Sequence, residues 1–150
     1  MKKLRTAALV ITALVLCFIW TQSAIPRDLS KSESLKVGGF ITPFLEIFFG
    51  KGSVTDHIVR KTAHFVEYFV LGCSMETVIF TRKRKIYITV MSAFLAAFID
   101  ETIQIFSGRG PMIADVWLDM FGAVTGIAAA AGVLLLMFKS GLKKKRTDEL

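Results

Sequence analysis

Ionisable side chains interrupt three of the four apolar runs in this chain, each time near one end. Lys61-x-x-His64-x-x-Glu67-Tyr68 opens the second run. Asp100-Glu101-x-x-Gln104 closes the third, with Arg109 just beyond it, and Asp115-x-x-x-Asp119 opens the fourth. The runs cover residues 4–20, 62–81, 86–106 and 112–138. Each is close to the length that crosses a hydrocarbon core, roughly 20 residues at 1.5 Å rise. A charged group at membrane depth costs roughly 2.5–3.5 kcal/mol on insertion scales, so such groups face a bundle interior and mark function by default. With 53% of its 150 residues hydrophobic, the chain has no room left for a sizeable soluble core. These features predict one all-α membrane domain over residues 1–150, a four-transmembrane-helix bundle.

The net charge of +7 raises the question of nucleic acid. Its distribution answers it. Lys2, Lys3 and Arg5 lie at the start of the first run, and Arg82-Lys83-Arg84-Lys85 fills the gap between the second and third. Lys139, Lys143, Lys144, Lys145 and Arg146 follow the fourth. Short loops rich in Lys and Arg stay cytoplasmic. The basic residues are therefore topogenic, nucleic acid is excluded as a partner, and both termini are predicted inside, with a cytoplasmic basic tail over 139–150. The other side carries Arg27, Lys31, Lys36, Lys51, Arg60, Lys61 and Arg109 mixed with acids.

Between the first two runs, residues 37–50 are strongly aromatic but too short to span and interrupted by Pro43. They read as an interfacial helix or a lid on the outer surface. Asp56 is the expected N-cap of the second helix. Cys17 and Cys73 form no metal or redox spacing and read as packing residues. The first run, though preceded by Lys2-Lys3, has poor cleavage-site chemistry around Ala24 and reads as an uncleaved anchor. Glu76, near the inner end of the second run, reads as a snorkelling side chain paired with the Arg82–Lys85 cluster. Tyr68 and Trp117 read as interfacial aromatics.

On this topology the three polar stretches fall in one leaflet. At about 100° per residue, Lys61, His64 and Tyr68 share an arc of about 60°, with Glu67 about 60° further round. Asp100, Glu101 and Gln104 share one arc of the third helix, and Asp115 and Asp119 lie on the face of Gly122 and Gly126. A Gly-x-x-x-Gly spacing lets a neighbouring helix approach closely, so the acidic stripe is expected to point into the bundle.

Such a cluster supports three arrangements. In one, Lys61 and Arg109 hold an anionic headgroup, while His64 and Glu67 act as acid and base beside Asp100 and Glu101. Tyr68, Gln104, Asp115 and Asp119 then complete the ligand-binding set. In a second, His64 and the carboxylates coordinate a divalent cation. The donor set permits a metal but selects none, and it leaves any cofactor unknown. In the third, the groups are a neutralised network that fixes helix packing. A proton-coupled transporter fits less well, because four short helices without an inverted repeat give little machinery for alternating access.

Lys61-x-x-His64-Phe65-x-Glu67-Tyr68-x-x-Leu71-Gly72, then Asp100-Glu101-x-x-Gln104-x-Phe106-x-Gly108-Arg109, then Asp115-Val116 and Gly122-x-x-x-Gly126, together resemble the VanZ-like family. The likeness covers roughly residues 10–138. It implies a bacterial cell-envelope membrane protein, because the family takes its name from a protein of glycopeptide resistance clusters that gives low-level teicoplanin resistance. Membrane lipids and a lipid-linked cell-wall precursor are the partners it suggests. The rival is a non-enzymatic membrane interaction or shielding protein. One position departs from the pattern: the family usually has Asn where this chain has Asp119, so a role of that Asn does not carry over unchanged.

Overall fold

The computed structural model describes residues 2–26, 42–47, 50–80, 85–108 and 112–148, with side chains as far as residue 140. Four helices are long and apolar enough to cross a membrane. They are α1 (Lys2–Ala24), α3 (Asp56–Phe80), α4 (Ile86–Phe106) and α5 (Ile113–Asp148), with a short helix α2 over residues 42–47. No strand occurs among the described residues. The expected spans are matched closely at α4. They are exceeded at α3, which starts earlier, and at α5, which continues through the basic tail. At about 1.5 Å per residue α5 is about 54 Å long, well beyond a hydrocarbon core of about 30 Å.

The N-cap of α3 is Thr55, not Asp56. Thr55 Oγ1 accepts the Ile58 N–H at 3.4 Å, and its carbonyl accepts the Val59 N–H. Asp56 instead occupies the first turn, where its negative charge faces the positive end of the helix dipole. In the preceding connection Gly50 and Gly52 take positive φ, and the Gly52 N–H donates to Glu46 Oε1 at 2.9 Å. This ties the connection back to α2, which buries Leu45 and exposes Phe44 and Ile47.

The chain alternates direction through its spanning helices. The end of α1, the start of α3, the end of α4 and the start of α5 therefore lie at one end of the bundle. The most extensive interface is α3–α5, and α1 packs on α3 and α4 on the side away from α5. Because α3 and α5 run the same way, their residues pair in step. A Cβ at Gly122 would meet the Phe65 carbonyl, one at Gly126 the Phe69 carbonyl, and one at Gly72 the backbone of Ala123. Glycine is required at these positions because two backbones touch there. Tyr68, Leu71, Ala93, Ala96, Ala97 and Ala123 form the core with Ile19 of α1. Alanines give α4 a smooth buried face that admits α1, α3 and α5 together.

At the opposite end, Glu76 is 4% exposed and accepts a 2.7 Å hydrogen bond from Thr89 Oγ1. It is a buried acceptor inside the bundle, not a snorkelling side chain. Of its expected partners Arg82–Lys85, residues 82–84 lie outside the described residues. A cleft of about 110 Å³ beside this pair is lined by Leu9, Thr12, Met75, Val78, Thr89 and Ser92. Thr12 also donates to Ser74 across the α1–α3 contact. Cys73 packs with its thiol toward the Gly126 carbonyl, whereas Cys17 is exposed on the outside of α1 and is no packing residue.

Candidate functional site

Parallel pairing of α3 with α5 also builds the polar cluster, in layers. At the mouth, Lys61 Nζ donates to Asp115 Oδ1 at 2.6 Å, with the two side chains 32% and 28% exposed. One turn deeper, His64 Nδ1 stands 3.7 Å from Asp119 Oδ1, and Asp119 is fully buried. Deeper again lies Tyr68, fully buried against the core. It is therefore not an interfacial aromatic, while Trp117, 71% exposed, faces outward as one would.

The last turns of α4 close the cluster from the other side. Asp100, Glu101 and Gln104 are all buried. Gln104 Nε2 donates to Asp100 Oδ2 at 3.3 Å and to Glu101 Oε1 at 3.2 Å. Glu101 Oε2 accepts the Met112 N–H at 3.2 Å. Both oxygens of Glu101 are thus held by the protein, and one of them ties the end of α4 to the entry of α5. Glu67 is half-buried on α3, on the same end of the bundle. Of the residues read from sequence, the structure brings together Lys61, His64, Glu67, Tyr68, Asp100, Glu101, Gln104, Asp115 and Asp119. Arg109 lies outside the described residues.

Hydrogen-bond accounting separates the members. Both carboxyl oxygens of Asp119 and the Tyr68 hydroxyl are buried without a hydrogen-bond partner. An unpaired buried polar group costs roughly 1–3 kcal/mol, and a buried carboxylate costs far more. The ligand atoms of His64, Asp100 and Asp119 lie within 4.8 Å of one another, one from each of three helices.

Sequence reasoning did not find the contribution of α1. Ser23 is 1% exposed, and its hydroxyl and the Trp20 indole N–H are buried without partners at the same end of the bundle. Neither carries a charge, so no compositional anomaly exposed them. Thr89 escaped notice for the same reason.

The fold and its buried polar layer define a multi-pass membrane protein, with a cluster of ionisable groups at one end of the bundle. A model of the family described as VanZ/LLP1 matches residues 8–138. The chain belongs to this family. No curated protein and no solved structure matches it significantly.

Proposed function

We propose that the polar end of the bundle receives an anionic amphiphile, a phospholipid headgroup or a lipid-linked cell-wall precursor, at the outer face of the cell membrane. Both termini are then cytoplasmic. The observation that carries this reading is the layering of the site. Its mouth is an ion pair about one-third exposed, Lys61–Asp115. Its floor is buried and polar, with Asp100, Asp119 and Tyr68 each 0% exposed. At the same helix ends Phe106, Ile113 and Trp117 are 87%, 81% and 71% exposed. A polar entrance beside an apolar collar suits a molecule with a charged head and acyl chains.

In this reading Lys61 and Arg109 attract the headgroup, with Arg109 able to fork onto a phosphate. His64 and Glu67 are the acid and base for any chemistry. Asp100, Glu101 and Gln104 orient the site, and Asp115 holds Lys61. Teicoplanin susceptibility would change because lipoglycopeptides act on precursors at the same membrane face.

The test is lipid retention by the purified chain, read by native mass spectrometry. Phosphate-bearing lipids such as undecaprenyl phosphate and phosphatidylglycerol should be kept over phosphatidylcholine, and less so by Lys61→Met and Arg109→Gln. Equal retention of all lipids by all variants sinks the proposal. In cells, His64→Gln with normal accumulation and altered teicoplanin susceptibility supports a binding or chemical role. Lost accumulation favours the structural network, a reading that the Gln104 bonds to Asp100 and Glu101 also support. Orientation has its own check. A cysteine introduced by Gly110→Cys should react with an impermeant thiol reagent from outside, and labelling only after permeabilisation would invert the topology.

A further inference from the structure

We propose that His64, Asp100 and Asp119 bind one divalent cation of the Mn²⁺ or Zn²⁺ type in this half of the bundle. The geometry comes first. One donor atom from each residue lies within 4.8 Å of the other two. Bonds of about 2.0–2.2 Å to a common ion place donors up to about 4.4 Å apart, and a tetrahedral edge is about 3.4 Å. The longest separation must close by up to about 1.4 Å to reach a tetrahedral edge, and by about 0.4 Å if that pair sits trans across a six-coordinate ion. The 3.7 Å between His64 Nδ1 and Asp119 Oδ1 is too long for a hydrogen bond but close to that edge.

Second, Asp119 is 0% exposed, and neither of its oxygens has a hydrogen-bond partner. A carboxyl group in that position needs a counter-charge or a donor aimed at it, and a coordinated cation supplies the former. Tyr68, one turn below His64, buries a hydroxyl that also lacks a partner. It is available to a water carried by the ion.

Third, charge runs the same way. Lys61 is committed to Asp115 at 2.6 Å. Among the described residues, the other carboxylates at this end are Glu67, Asp100, Glu101 and Asp119, and a divalent ion would offset part of their charge. The donors are also held in place. Gln104 fixes Asp100 through Oδ2, and the close α3–α5 contact at Gly122 sets His64 against Asp119. One imidazole with two carboxylates suits Zn²⁺ and Mn²⁺ better than thiolate-seeking ions or the all-oxygen sites of Mg²⁺ and Ca²⁺.

The site stands whether or not a lipid binds. Should both hold, the ion supplies the positive centre that receives a phosphate, and His64 serves as its ligand instead of as acid or base.

The experiment uses the full chain without an affinity tag, in detergent, stripped with EDTA and titrated with Mn²⁺ alone and with Zn²⁺ alone. One ion per chain is expected. Bound Mn²⁺ should show electron spin-echo modulation from one imidazole nitrogen, lost in His64→Gln and kept in His57→Gln. Asp119→Asn should lose the stoichiometric ion, while Asp115→Asn keeps it. The wild-type signature decides the matter even if a variant fails to fold. Overturning results are no stoichiometric ion on the wild type, bound Mn²⁺ without imidazole coupling, or unchanged binding in Asp119→Asn. Lipid is absent from these titrations, so metal binding without lipid selectivity would retire the lipid proposal alone.

Discussion

Adding a single methyl group at Gly126 should loosen the bundle, whereas the same change two turns further on should not. At Gly126 a Cβ would run into the Phe69 carbonyl and crowd the Cys73 N–H. Backbone atoms cannot rotate away as a side chain would, so α3 and α5 must separate. Overpacking of this kind costs about 1–3 kcal/mol. Alanine returns up to about 0.8–1 kcal/mol through its better helix propensity. The net expectation for Gly126→Ala is a loss of about 0–2 kcal/mol. Gly132 provides the control on the same helix, because nothing lies within 4 Å of a Cβ built there. Gly132→Ala keeps the propensity gain without the collision and should be neutral or slightly stabilising. Reversible unfolding by SDS titration in mixed micelles, followed by Trp20 and Trp117 fluorescence, measures both. Equal midpoints for the two variants would refute the reasoning, because it would mean that α3 and α5 are not in backbone contact at Gly126.

Other outcomes follow from the same geometry. Mn²⁺ at about 100 times its dissociation constant should stabilise the wild type by about 2.7 kcal/mol and leave Asp119→Asn unmoved in the same titration. Lys61→Met should destabilise only slightly, by about 0.2–1 kcal/mol, because its ion pair with Asp115 is about one-third exposed and screened. A double-mutant cycle with Asp115→Asn, run at low and high salt, isolates that term. Thr89→Val should cost about 1 kcal/mol by leaving buried Glu76 without its donor. Adding Glu76→Gln to that variant should recover part of the loss, and no difference between Thr89→Val and wild type would show that this bond carries no stability.

The extent of α4 and the identity of the polar set were legible in the sequence, because a charge inside an apolar run is conspicuous and helical periodicity fixes its face. Three readings failed, two of them where the deciding contact crosses from one helix to another. Glu76 looked like a partner for nearby basic residues, but a threonine on α4 reaches it first. Tyr68 looked interfacial by type, yet the α3–α5 approach buries it completely. Asp56 looked like the cap, and the neighbouring Thr55 took the role.

The sequence by itself determined a membrane bundle with a polar cluster at one end, because transfer free energy and the 3.6-residue period act on composition and local order alone. Only the tertiary structure decided how those groups divide. The parallel pairing of α3 with α5 at glycine contacts commits Lys61 to Asp115 at the mouth and sets His64 against Asp119 below it. The return of α4 spends both oxygens of Glu101 on holding the turn into α5. Asp119 is left buried and without a hydrogen-bond donor. That distribution depends on helix register and separation, which hydropathy does not encode.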